Sequence, residues 1–339
     1  MENRSLKLGL TLGYWMKDPY LPLDLVQEAE NLGYDSVWTA EAYGSDCFSP
    51  LCWIGANTTK IKLGTAVMQL SARTPTAAAM TALTIDHLSQ GRLILGVGVS
   101  GPQVVEGWYG QPFKRPLERT REWMQIFRQV IAREAPVELA GNQYRLPYDG
   151  PGSTMQGKPL KSITHPFRKH IPVYMGAEGP KNIKLATEIA DGWLPIFISP
   201  YRVDVFEESI ADRPEGWEIA AQVPVNVADS LEEALRPMKF TMALYLGGMG
   251  SRKENFHKRL MDRMGFGAEA QEVQDLYYAG KRAEAVEAVP DALADEISLS
   301  GPLDRIKEKL QDWKNSPITS MSVMCRDADV LRFLAENVL

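Results

Sequence analysis

Leu93-Ile94-Leu95-Gly96-Val97-Gly98-Val99-Ser100-Gly101 decides between two architectures. Its first seven residues are apolar or glycine without alternation, the pattern of a strand covered on both faces in a parallel sheet. Its last six match GxGxxG, which after a strand can form the pyrophosphate turn of a dinucleotide-binding fold. That turn normally opens the first βαβ unit. Here three strand candidates precede it, at residues 6–12, 36–40 and 61–68, and Pro102, Gly107 and Gly110 delay the next helical pattern. The alternative is a glycine-lined strand end at the C-terminal rim of a barrel, where missing Cβ atoms let a flat ligand approach the backbone.

Outward from this strand the same rhythm repeats. Helical spacing follows at 22–32, where Gly33 stands in the C-cap position, at 76–88 and at 117–133. Residues 137–170 are rich in Gly, Pro and polar residues and lack a period, so they read as an excursion. Strands resume at 171–175, 192–198, 218–227 and 318–324. Helical patterns lie at 180–190, 201–211, 231–246, 302–315 and 327–338, with a mostly helical stretch from 255 to 293. Eight β-α units predict a (β/α)8 TIM barrel spanning residues 1–339 as a single domain, with excursions at 137–170 and 247–295. An open doubly wound sheet with a cap domain is the competing arrangement.

The 339 residues carry 37 Lys+Arg against 43 Asp+Glu, a net charge of −6 that argues against a nucleic-acid partner. No apolar run approaches the roughly 20 residues of a membrane span. The opening Met1-Glu2-Asn3-Arg4-Ser5-Leu6-Lys7 has no signal-peptide core. Cys47, Cys52 and Cys325 are three without a CxxC, which disfavours a disulfide framework or a zinc site. A cytoplasmic protein is expected, with no membrane partner.

Two features could carry chemistry. Gly176-Ala177-Glu178-Gly179-Pro180 joins a strand to a helix, and Pro180 suits the first helical turn. The free amides of that turn form an anion site, or else a plain connection. Glu41 closes the second strand, where a carboxylate can point into a barrel mouth and shuttle a proton; otherwise it caps the next helix, for which Asp46 is better placed. His87, His165, His170 and His257 lack metal-ligand spacing and read as surface or packing residues, so no metal is expected. There is no GxSxG, Walker A or HExxH string. Residues 242–250 could line a pocket or pack in the core, and the basic run 251–259 could meet an anion or face solvent.

Gly64-Thr65-Ala66-Val67-Met68, Ala72-Arg73-Thr74-Pro75, Asp86-His87-Leu88-Ser89-Gln90-Gly91-Arg92, the run from Leu95 to Trp108, Gly176 to Asn182, Ala190-Asp191-Gly192-Trp193 and Gly247-Gly248-Met249-Gly250 together resemble the luciferase-like monooxygenase superfamily, and within it the branch using the deazaflavin coenzyme F420. The resemblance covers almost the whole chain. It implies a barrel, usually homodimeric, with a flavin-like ring at its C-terminal mouth and a non-proline cis peptide at Ala66–Val67 behind the ring. It maps the cofactor onto Ala66, Val67, Gly98, Val99, Ser100, Gly101 and the turn Gly176, Ala177, Glu178, Gly179 and Pro180. It implies substrate contacts at Tyr14, Trp15 and Met249, in a pocket built largely from the two excursions. Many deazaflavin relatives have Asp-His at the end of the second strand, where this chain has Glu41-Ala42. The missing imidazole favours use of reduced F420 on an activated C=C or C=N bond of a small-molecule or peptide substrate, with the proton from Glu41, Tyr43 or water. An FMN-dependent monooxygenase and a non-catalytic flavin-binding protein are the alternatives.

Overall fold

The structure is a computed structural model and describes residues 6–15, 17–252 and 254–339. Residues 1–5, read above for a leader, and Lys253 of the basic run lie outside the described residues. Eight parallel strands close on themselves: β1 (Lys7–Gly13), β2 (Ser36–Thr39), β3 (Lys62–Thr65), β4 (Leu93–Gly98), β5 (Val173–Gly176), β6 (Gly192–Leu194), β7 (Glu218–Val227) and β8 (Ser320–Met324). Each pairs with the next, and β8 pairs with β1, so the ring has no free edge. This is the expected (β/α)8 barrel, and it excludes the open sheet.

β4 explains why these strands read as unbroken apolar runs. Leu93, Leu95 and Val97 face outward into the main core, and helix Pro75–Leu88 packs on the strand. Ile94 turns inward to meet Trp38, Tyr174, Leu194 and Ala220 in the barrel interior. Burying each large aliphatic side chain contributes about 1.5–3 kcal/mol. Helix Pro75–Leu88 begins where its sequence says it should: Thr74 accepts from the Ala77 amide and Pro75 takes the first helical position.

Three elements have no bounds in the sequence expectation. A helix at Phe48–Ala56 joins β2 to β3, although Pro50 and the apolar composition hid its period. Its first amides, Phe48 N and Ser49 N, donate to Asp46 Oδ1 at 2.8 and 2.9 Å, the capping role foreseen for Asp46. A short helix, Pro102–Gly107, starts immediately after the glycine-rich run. Leu299–Gly301 adds a short strand beside Val225–Val227 of β7.

The two excursions lie at different places. Residues 137–170 contain an antiparallel pair, Leu139–Ala140 with Arg145–Leu146, and link the end of helix Pro116–Ala132 to the start of β5. They are tied to the N-terminal end of the barrel: Arg168 binds Asp86 near the close of its helix and also donates to the carbonyl of Leu93, the first residue of β4. The stretch from 255 forms four helices, Phe256–Arg263, Gly267–Tyr278, Arg282–Glu287 and Asp291–Glu296.

Candidate active site at the barrel mouth

β3 stops at Thr65, and the chain steps out of the ladder before rejoining β4 as Met68–Gln69, opposite Val97 and Gly98. The Ala66–Val67 peptide in this bulge is cis. Thr65 Oγ1 donates to Gly96 O at 2.7 Å and accepts from Gly96 N at 2.9 Å, fixing the bulge to β4. On the interior side, Gln222 Nε2 of β7 lies 3.5 Å from Ala66 O.

The Val67 side chain leans across β4 and β5. A Cβ on Gly98 would stand 2.6 Å from Val67 Cγ2, and one on Gly176 would stand 3.1 Å from Cγ1. A Cβ on Gly96 would meet Thr65 O at 1.7 Å. The glycines that the sequence assigns to ligand approach therefore make room for the bulge itself. Ser100 adopts a left-handed φ of 58°, and Gly101 opens helix Pro102–Gly107 without a side-chain cap. Val99 packs against the core.

The turn after β5 presents free backbone donors. Gly179 precedes helix Pro180–Ile189 and supplies no side-chain cap. The N–H groups of Ala177, Glu178 and Gly179 find no acceptor among the described residues. Helix Phe256–Arg263 covers the turn: Arg263 Nη2 donates to Glu178 O at 2.6 Å, and His257 Nδ1 lies 2.7 Å from Glu178 Oε1. That second contact is one of proximity, with no hydrogen bond aligned between the two atoms. Burial lowers the pKa of Arg263 despite the neighbouring Glu178. Elsewhere in the basic run, Arg252, Arg259 and Lys258 are spent on exposed pairs with Asp275, Glu254 and Asp262, as a solvated face would have them.

Glu41 corrects the expectation made for it. It is only 7% exposed, and both carboxylate oxygens are taken. Arg73 Nη1 reaches Oε1 at 2.7 Å and Oε2 at 2.9 Å, Gln69 N donates to Oε1 at 2.9 Å, and Cys47 N lies 3.4 Å from Oε2. A carboxylate so placed is buried and accepts within the protein on both oxygens. Tyr43 is 62% exposed, beside the ring of Trp108.

A cavity of about 630 Å³ opens at the C-terminal ends of β1, β7 and β8. Tyr14, Trp15, Tyr20, Phe197 and Tyr245 give it an aromatic wall, Gln222 and Asn226 its amides, and Lys17, Asp18 and Arg326 its charges. Tyr14 and Trp15 are where substrate contacts were expected. Met249, Glu41 and Tyr43 are not among its lining residues, and no described residue unique to either excursion lines it; strand ends, the loop after β1, the segment after β6 and helix Leu231–Gly247 supply the wall. Burial raises the pKa values of Tyr14 and Tyr245, with Tyr43 adding to both and Glu178 to Tyr245. Phe197 and His257 both meet the Tyr245 ring edge to face. Gln222 was missed in the sequence, although one amide in the apolar run Ile219–Val225 was a signal.

The family model for luciferase-like monooxygenases matches residues 22–320. The chain belongs to that family. It is 50% identical over 344 residues, covering 98% of this chain and 99% of the relative, to the Mycobacterium tuberculosis protein named "Putative coenzyme F420-dependent oxidoreductase Rv3520c". It is 26% identical to the 5,10-methylenetetrahydromethanopterin reductase of Archaeoglobus fulgidus, over 87% of this chain and 86% of that one. Among solved structures, the coenzyme F420 dependent tetrahydromethanopterin reductase from Methanopyrus kandleri superposes with a TM-score of 0.75 at 22% identity, covering 98% of both chains. An F420-dependent secondary alcohol dehydrogenase gives 0.74 at 17% identity over 99% and 98%. These two likenesses establish that the luciferase-like chain shares their fold.

Proposed function

We propose that this luciferase-like chain is a coenzyme F420-dependent oxidoreductase that uses the reduced cofactor to reduce an activated C=C or C=N bond. The observation that carries the cofactor is the 50% identity, across nearly the whole of both chains, to a protein bearing that name. The residues present fit such a group. Val67 and the bulge offer a support for one ring face, and the unpartnered amides of Ala177, Glu178 and Gly179 stand at a helix N-terminus, where a phosphate is stabilised. Ser100 and Gly101 stand at the rim between them.

Bound there, reduced F420 would supply a hydride from C5 to the electrophilic carbon of the substrate. The chain's part is to orient and to exclude water. The cavity beside the bulge receives the acceptor molecule, with its aromatic wall suited to a flat, largely apolar body and the amides of Gln222 and Asn226 to its polar edge. Both oxygens of Glu41 are engaged, so the proton comes from a phenol of the wall, Tyr14 or Tyr245, or from water. Neither hydroxyl has a hydrogen-bond partner among the described residues, and burial keeps both phenols protonated at neutral pH.

The test is a fluorescence titration of the chain with F420 and with FMN, followed by oxidation of F420H2 in the presence of conjugated enones and imines. Tight F420 binding and acceptor-dependent oxidation are expected. Tight FMN binding with none of F420 would reverse the cofactor assignment, and F420 binding without turnover of any acceptor would favour a non-catalytic role.

A further inference from the structure

The bulge is tied to β2 at both of its ends. Before it, Ala66 N donates to Thr39 O at 2.6 Å; after it, Gln69 N donates to Glu41 Oε1 at 2.9 Å, while Gln69 Nε2 reaches the Glu41 carbonyl at 3.1 Å. The second tie depends on a carboxylate whose position is fixed by Arg73. That arginine follows the 3-10 turn Leu70–Ala72, bridges both oxygens of Glu41 through one nitrogen, and lies over the ring of Phe48 with its guanidinium carbon 4.9 Å from the centroid. Burial alone would lower the pKa of Arg73, but the hydrogen bonds and charge of Glu41 outweigh it and raise it. The pair is braced on one side by helix Phe48–Ala56 and on the other by the segment leaving the bulge.

We infer that Glu41 and Arg73 form a clamp that sets the position of the bulge, and with it the ring seat, so that both are positioning residues and Glu41 is not the proton donor. A carboxylate saturated by one guanidinium and two backbone N–H groups has no proton to give and no lone pair facing a substrate. It does have the geometry to hold Gln69, two residues beyond Val67, against the end of β2. This role rests on the cofactor assignment proposed above.

The experiment measures F420 affinity by fluorescence and thermal midpoint by calorimetry for the wild-type chain, E41Q, R73M and the double variant E41Q/R73M. Both single variants are expected to raise the Kd for F420 at least tenfold and to lower the midpoint, since each leaves a buried partner without its charge. The double variant, which removes the unpaired guanidinium as well, should recover part of the midpoint but none of the affinity, because the amide oxygen left to accept from Gln69 N is no longer held in place by a guanidinium. A role confined to folding would move the two readouts together. If E41Q does not fold, R73K takes its place with the same expected rise, because the shorter side chain cannot reach both oxygens and keep its contact with Phe48. A Kd within twofold of wild type in a folded single variant would overturn the clamp and return Glu41 to the list of proton donors. A wild-type chain that binds no F420 would instead overturn the cofactor assignment on which the clamp depends.

Discussion

Arg168→Met tests whether residues 137–170 serve the barrel's base and not its pocket. Arg168 places Nε 3.1 Å and Nη2 2.8 Å from the Asp86 carboxylate, which is 1% exposed, and it also donates to the carbonyl of Leu93. No other side-chain donor reaches that carboxylate among the described residues. Methionine would keep much of the apolar stem and strand a buried charge, a change that costs about 3–5 kcal/mol. The arginine is itself about a third exposed, so water can enter and the lower bound applies: about 3 kcal/mol. At about 2.1 cal/mol/K per residue, a chain of 339 residues has an unfolding entropy of about 0.7 kcal/mol/K, so the midpoint should fall by about 4 °C. Asp86→Asn in the same chain removes the stranded charge and should restore most of the loss. Calorimetry measures the midpoint, and F420 titration of the same samples should return an unchanged Kd. A midpoint within 1 °C of wild type would refute the energetic reasoning (about a quarter of the expected shift). A parallel loss of cofactor affinity would refute the placement of this excursion away from the mouth.

Two further outcomes follow from the same geometry. Gly98→Ala puts a Cβ 2.6 Å from Val67 Cγ2, so the bulge must move and F420 binding should weaken at least tenfold; the double variant G98A/V67A, which clears the clash, should regain part of it in the same titration. Asp46 is pulled in two directions, burial raising its pKa and the amides of Ser49 and Phe48 lowering it, with the lowering dominant. A depressed carboxylate stabilises the fold above its unfolded pKa of about 3.9 and loses that contribution as pH falls through the folded value. Asp46→Ala should therefore cost about 1 kcal/mol near neutrality, the usual worth of such a cap, with the gap to wild type closing below pH 4 in urea melts.

The barrel was legible because its strands are buried on both faces, and that condition leaves unbroken apolar runs such as 93–99. The helix at Phe48–Ala56 was not, because it is apolar nearly all round and carries Pro50, leaving no polar face to give a 3.6-residue period. The Ala66–Val67 bulge was legible only through resemblance, since no local propensity marks it. Tyr14 and Trp15 were found as cavity residues, and Gln222, Asn226 and Tyr245 complete a wall drawn from strand ends, the loop after β1, the segment after β6 and one helix. That convergence depends on barrel closure, which no spacing along the chain encodes.

Glu41 and the β4 glycines share a second use besides the one their residue types suggest. Each residue type has a chemical use at a barrel mouth, and each is used here to build the wall behind the mouth. Gly96 yields to the carbonyl of Thr65, Gly98 and Gly176 yield to Val67, and Glu41 takes the amide of Gln69. The bulge is therefore specified by residues on β4 and β5 and by Glu41 just beyond β2. A substitution at any of them should act first on where Val67 stands and only then on binding, so affinity for F420 ought to track the position of Val67 more closely than it tracks the charge at position 41. The charge-neutral pair G98A and G98A/V67A isolates that dependence, because neither variant alters an ionisable group. Affinity that fell with G98A and stayed low in the double variant would place the lost contact at Gly98 itself, as a ligand neighbour, and not at the bulge.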